Sequence, residues 1–189
     1  MQDIFRRAIS IFFDLIESVV VALSIFVVIY LFLVQPHEIK GASMDPTFHD
    51  GQYILTDKIS YRLNAPKRGD VVVFKAPMNP DFDYIKRIIG LPGDTITISD
   101  GKVLVNGQPL PDEYIQTDTI LLPGQYIKEG EQITVGQDEY FVLGDNRSHS
   151  ADSRQWGMVP KNDIIGRVFF RYWPVNHFGL IQKPIEFNN

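Results

Sequence analysis

Thr95-Ile96-Thr97-Ile98-Ser99-Asp100-Gly101-Lys102-Val103-Leu104-Val105 is two strand-like runs joined by an Asp-Gly pair, the sequence signal of a two-residue type I′ hairpin. On either side of it, Gln52 to Ile59, Val71 to Phe74, Tyr140 to Leu143 and Ile164 to Tyr172 read as further short strands. Asn106-Gly107 and the prolines at 109, 111 and 123 punctuate the middle of the chain. Past residue 35 there is no long helical period and no internal repeat. The pattern predicts an all-β dominated domain of irregular sheets over 36–189.

The N-terminal end has a different character. Val19 to Val34 is a run of sixteen residues, apolar except for Ser24. As a helix it would span about 24 Å, short of the roughly 30 Å hydrocarbon core, so the helix is expected to begin nearer Ile9 or Ile11. That start puts Asp14 and Glu17 in the first turns, near the interface where carboxylates are tolerated. Pro36 is the expected stop. A cleavable signal peptide is the competing reading, but Gln35-Pro36-His37-Glu38 offers no small-x-small site behind Val34. The expected organisation is a short cytoplasmic N-terminus at 1–10, one transmembrane signal-anchor helix at 11–35, and an extracytoplasmic domain after it. Arg6 and Arg7 before the span, against Lys40 after it, lean toward that orientation.

Composition narrows the chemistry. At 189 residues and 44% apolar content the chain holds one anchor and a single soluble core. A net charge of -5 gives no basic footprint, so no nucleic acid partner is expected. Cysteine is absent, which removes disulfides, thiolate chemistry and Cys-ligated zinc. His37, His49, His149 and His177 lack metal-ligand spacing, and no phosphate-binding glycine loop is present, so neither metal nor cofactor is expected.

Two residues then invite a nucleophilic reading: Ser43 in Gly41-Ala42-Ser43-Met44-Asp45-Pro46-Thr47 and Lys86 in Tyr84-Ile85-Lys86-Arg87-Ile88-Ile89-Gly90-Leu91-Pro92-Gly93-Asp94. A serine hydroxyl needs an adjacent base to accept its proton. Lysine can serve only when neutral, and with an ordinary pKa of about 10.4 only about one in a few thousand is neutral at pH 7. Lowering that pKa to about 8 by burial costs the ammonium form roughly 3 kcal/mol. Tyr84, Ile85, Ile88 and Ile89 make a β-prone apolar segment able to provide a dry wall, with Arg87 directed to the opposite, wetter face. Lys86 on its own would read as a solvated surface charge; its context reverses that.

The context is four ordered stretches: Ser43-Met44-Asp45-Pro46-Thr47, Arg68-Gly69-Asp70-Val71-Val72-Val73-Phe74, Tyr84 to Asp94, and Gly144-Asp145-Asn146-Arg147-Ser148-His149-Ser150-Ala151-Asp152-Ser153-Arg154 with Gly157 after it. In this order they resemble the type I signal peptidases, membrane-bound serine proteases that remove signal peptides from exported preproteins. The resemblance runs from the anchor to about Tyr172. It implies a β-dominated fold of irregular sheets, similar to that of self-cleaving Ser-Lys repressors, behind one transmembrane helix, with a small insertion around 95–139. It implies Ser43 as nucleophile and Lys86 as general base. Ser150 matches a second hydroxyl that orients the lysine amine, and Asp145, Asp152 and Arg154 match polar positions supporting the last segment. The family's oxyanion hole uses the nucleophile's own N–H and, in many members, a hydroxyl two residues earlier; here that position is Gly41, which leaves main-chain donors or water.

The resemblance also implies a substrate bound as an added strand, with small residues at -1 and -3 entering two shallow pockets. The walls would include Ile39, Met44, Phe48, Ile54, Val73, Tyr84 and Ile85. Implied partners are signal peptides of secretory preproteins, the lipid bilayer and a nearby secretion translocon, at the plasma membrane. Two readings of other classes stay open: a Ser-His-Asp hydrolase using Ser43, His149 and Asp145, and a membrane-tethered β-domain that binds peptides without chemistry. A self-cleaving Ser-Lys repressor is disfavoured by the anchor and the acidic charge.

Overall fold

The computed structural model describes residues 2–111 and 118–181; the parts of the expected insertion and of the domain's C-terminal end at 112–117 and 182–189 lie outside the described residues. Helix α1 spans Gln2–Val28 and runs on through a π-helical segment, Ile29–Leu33. Its stretch Ile9–Val28 is long and apolar enough to cross a membrane, and none of it is buried against the rest of the chain. The helix starts earlier than the expected residue 11 and stops before residue 35, because Val34 and Gln35 already pair with Asp57 and Thr56. Pro36 therefore ends no helix. It lies within an edge strand, where a sheet tolerates a missing N–H.

Twelve strands follow among the described residues. First come β1 (Val34–Glu38), β2 (Tyr53–Asp57), β3 (Val71–Lys75) and β4 (Asp83–Gly90). The stretch expected as an insertion supplies β5 (Thr95–Ser99), β6 (Lys102–Val105), β7 (Gln108–Pro109) and β8 (Gln132–Thr134). The chain closes with β9 (Glu139–Leu143), β10 (Val159–Pro160), β11 (Ile164–Trp173) and β12 (Gly179–Leu180). Past the anchor, α2 (Ser60–Leu63) and α3 (Ser153–Trp156) are single turns. The fold is thus mostly antiparallel β-sheet behind one apolar helix, as the sequence predicts.

The main sheet has the order β1-β2-β11-β3-β4-β9-β10, with β12 added on β11. Its centre is β3, where Val71 and Val73 pack into one apolar cluster and Val72 and Phe74 into another on the opposite face. An unbroken Val-Val-Val-Phe run is what a strand covered on both faces requires. The second sheet, β7-β6-β5-β8, carries the hairpin. Asp100 and Gly101 have φ of 51° and 75°, the two left-handed residues that a type I′ turn demands. Ile96, Ile98, Val103 and Val105 then face inward and pack against Ile89, Phe141 and Leu143 of the main sheet. The insertion is thereby fixed to the main sheet by a shared core.

Strands β1 and β4 stand four positions apart, about 19 Å in a flat sheet. Yet the side chains of His37 and Asp83 approach to 3.4 Å. The sheet is therefore curled, and a seam is left between β1 and the Asp83–Lys86 half of β4, which pairs with β3 on one side only, since β9 joins β4 from Arg87 onward. Both edges of that seam carry backbone groups without a strand partner.

Candidate active site

Ser43 sits in the loop between β1 and β2. That loop is pinned at its neck, where Ile39 N–H donates to Gln52 O at 2.8 Å and Gly51 N–H to Ile39 O at 2.9 Å. Gly41, at φ 88°, turns the chain and donates its N–H to Asp50 Oδ1 at 2.6 Å. Met44 and Phe48 then plug into the core with no exposed surface, fixing the loop from below while Ser43 stays half-buried at its top.

Lys86 arrives from β4. Its Nζ lies 2.8 Å from Ser43 Oγ and 2.9 Å from Ile85 O, and 5.5 Å from the centre of the Tyr84 ring. The residue is 5% exposed. Burial pushes the ammonium pKa down from 10.5 to about 8, against the pull of Asp152 and Asp145 in the other direction and with help from Arg154. At pH 7 about a tenth of the amine is then neutral, so it can accept a proton.

Behind the pair lies a buried charged layer. Asp145 accepts from Arg87 Nε at 2.8 Å, from Arg87 Nη2 at 2.6 Å and from Thr47 Oγ1 at 2.6 Å. This corrects the expectation for Arg87: it is 3% exposed, not on a wet face, because the Asp145 carboxylate and Gly69 O take up its guanidinium. Asp152 accepts from Arg154 Nε at 2.7 Å and from Gly144 N–H at 3.1 Å. Arg154 also donates to the carbonyls of Arg147 and Ser150, so Asp145, Asp152 and Arg154 together hold the 144–154 segment.

Two positions had no individual role in the sequence reading. Asn146 reaches back to the serine loop, with its N–H on Ser43 O at 3.1 Å and its Nδ2 on Ala42 O at 3.1 Å. At Gly144 a Cβ would collide with the Ser150 side chain and stand 2.5 Å from Ser43 O, so the loops can approach only over a glycine. Both lie in the quoted 144–154 stretch, but contacts this distant in sequence leave no local signal.

A cleft of ≈ 550 Å³ opens beside Ser43 and Lys86 along the seam. Ile39, Ile54, Val73, Tyr84 and Ile85 line it, as do Pro36, His37, Phe82 and Asp83. Met44 and Phe48, expected as walls, line none of it: they are 0% exposed and belong to the core beneath. The Ser150 side chain lies against Gly144, where its Oγ is buried with no hydrogen-bond partner among the described residues, and the Lys86 amine is bonded instead to Ser43 and Ile85. His149 is exposed and turns to Ser148 and Asn146, while Asp145 is committed to Arg87 and Thr47, so no Ser-His-Asp constellation is assembled.

A serine hydroxyl on a buried lysine amine, at the end of a cleft between two strand edges, is the arrangement of a serine peptidase. Residues 12–173 match the family model described as signal peptidase, peptidase S26, and the chain belongs to that family. Signal peptidase I of Leptolyngbya laminosa is 42% identical over 174 residues, covering 88% of this chain and 80% of that protein. Signal peptidase IB of Staphylococcus aureus (strain MRSA252) is 37% identical over 185 residues, covering 92% and 96%. The crystal structure of a signal peptidase I from Enterococcus faecalis V583 is 32% identical, covers 55% of this chain and 97% of its own, and superposes with a TM-score of 0.46.

Proposed function

We propose that this chain is a membrane-anchored signal peptidase I that cuts exported preproteins after small-x-small sites, with Ser43 as nucleophile and Lys86 as general base. The observation that carries the reading is the 2.8 Å contact between Lys86 Nζ and Ser43 Oγ with the amine buried. Neutral Lys86 takes the Ser43 proton as Oγ adds to the scissile carbonyl. The Ser43 N–H stabilises the resulting oxyanion, and since Gly41 has no hydroxyl, no side chain at that position assists. The lysine ammonium then gives its proton to the departing amine, leaving an acyl-enzyme. A water deprotonated by Lys86 releases the signal peptide.

Ser150 orients the amine after rotating its partnerless hydroxyl toward Nζ, and Asp145, Asp152 and Arg154 keep the 144–154 segment against the serine loop. The substrate lies extended in the seam, where β1 and the first half of β4 offer open backbone groups on both sides. Ile39, Ile54, Val73 and Ile85 floor the pockets for its small side chains. The N-terminus is cytoplasmic and the domain extracytoplasmic, on the side where signal peptides emerge from the translocon.

The test is cleavage of a purified preprotein by the detergent-solubilised chain, with N-terminal sequencing of the product. Wild type and His149→Ala should cut after a small-x-small site, while Ser43→Ala and Lys86→Ala should be dead. Cleavage by Lys86→Ala would remove the lysine base, and a wild type inert toward all preproteins would remove the peptidase reading.

A further inference from the structure

The cleft changes character along its length. Beside Ser43 its floor is apolar, formed by Ile39, Ile54, Val73 and Ile85. Farther along, the floor is His37 of β1 and Asp83 of β4, whose Nε2 and Oδ2 meet across the seam at 3.4 Å. Both face the interior of the curl. His37 is registered opposite the fully buried Ile54, and Asp83 precedes Ile85 by two residues on one strand and so shares its face.

Each member of the pair is held from behind. His37 Nδ1 meets Thr56 Oγ1 at 3.1 Å and its Nε2 meets Gln35 Nε2 at 3.2 Å. Asp83 Oδ1 accepts from Lys75 Nζ at 2.7 Å. That leaves Oδ2 with the long contact to His37 and with lone-pair capacity for one more donor. The pair is thus rigid, polar and incompletely satisfied on the side that opens to the cleft.

Ile39 and His37 are two residues apart on a strand edge, about 6.7 Å, which is also the distance between alternate side chains of an extended peptide laid beside it. A substrate with its -1 side chain over Ile39 therefore sets its -3 side chain over His37 and Asp83. Resting on the peptidase reading above, we propose that the His37–Asp83 pair makes the -3 pocket polar and selects threonine or serine there over an apolar residue of equal size.

Threonine and valine differ by a hydroxyl for a methyl, so the shape of the pocket does not separate them. Valine strips water from the Asp83 carboxylate and returns no hydrogen bond, whereas the threonine hydroxyl donates to Oδ2 in the water's place. Alanine leaves room for a water on the carboxylate and stays acceptable, which keeps the proposal compatible with small-x-small cleavage.

The experiment takes one preprotein in three versions, with Ala, Thr or Val at -3, cut by the detergent-solubilised full chain. Wild type should favour Thr over Val by about tenfold in kcat/KM. His37→Leu/Asp83→Leu should bring that ratio to within about twofold while still cutting the Ala version, and a -1 Ala to Gly ratio should not move. A wild-type Thr to Val ratio within about twofold, or a double variant that keeps the tenfold preference, would overturn the proposal. If the double variant fails even on the Ala version, the single substitutions decide: Asp83→Asn should keep the preference and Asp83→Leu should lose it. A wild type that cuts none of the three versions would remove the peptidase reading and this inference with it.

Discussion

Lys86 meets opposite demands from stability and from chemistry. Its ammonium pKa falls from 10.5 to about 8 by burial, so below about 8 the folded chain holds a charge that the unfolded chain would hydrate. Cleavage should accordingly rise with pH through about 8 and then level, read as kcat/KM against pH. For stability the sign runs the same way: between about 8 and 10.5 the unfolded chain binds the additional proton, so the fold gains stability as pH rises across that window. Lys86→Met removes the cost. It should be inactive yet more stable than wild type at pH 7, by up to about 3 kcal/mol, with the gap closing above pH 10.5. Denaturation of both proteins at the two pH values measures it, and a gap independent of pH would show that burial of the charge is not its source. Asp145→Ala should behave in the opposite sense. It removes the carboxylate that accepts from two nitrogens of Arg87 at 3% exposure and is expected to cost roughly 3–5 kcal/mol, with loss of activity because Thr47 and Arg87 support both sides of the serine–lysine contact. A melt of Asp145→Ala equal to wild type would deny the pair that structural weight.

Among the elements, one carboxylate adds a polar tie to the apolar core that joins the two sheets. Asp94 accepts the Leu91 N–H at 2.6 Å, Arg68 Nη1 at 2.9 Å and Asn106 Nδ2 at 2.8 Å, tying the turn after β4 to the loop before β3 and the end of β6. Burial raises its pKa, but these donors outweigh burial and hold the carboxyl below its ordinary 3.8. A depressed carboxylate contributes stability above its unfolded pKa and loses it as pH falls toward the folded one. Asp94→Asn should therefore lower the melting temperature near neutrality, and the difference from wild type should shrink as pH drops below about 4. A difference that is constant with pH would mean that the carboxylate's charge is not what holds the turn. This junction also marks how far the sequence could be read. The Asp100-Gly101 turn and the β3 run were legible because turn geometry and two-sided burial act locally. β1 was not, because Val34 ends the apolar helix run, Pro36 reads as a helix stop, and only pairing with Leu55, Thr56 and Asp57 makes this stretch a strand. In the site, the motifs singled out Ser43 and Lys86, and the fold brings the two side chains to 2.8 Å. The burial of Arg87 depends on Asp145, 58 residues away, and the core position of Met44 and Phe48 on packing against β2, β3 and β11, which no local pattern encodes.

At the scale of the molecule, α1 passes through its π-helical turn directly into β1, and β1 forms one wall of the cleft. The apolar helix and the seam are therefore consecutive in the chain, and Ser43 follows the helix end by ten residues. On the proposed function, such a connection would hold the domain close to the bilayer in which an inserted substrate is also confined, and the shared confinement would raise effective concentration without adding a contact. Removing residues 2–33 should separate tethering from chemistry. β1 keeps its five pairings with β2, so the curled sheet and the Ser43 to Lys86 contact should survive. Cleavage of a short soluble peptide by the shortened chain should stay within a few-fold of the full chain, while cleavage of a vesicle-inserted preprotein should fall by about 10²-fold or more. Equal losses on both substrates would show that α1 supports the fold of the catalytic domain. An undiminished rate on the inserted preprotein would show that the helix contributes no tethering, and that the domain finds the bilayer through its own surface.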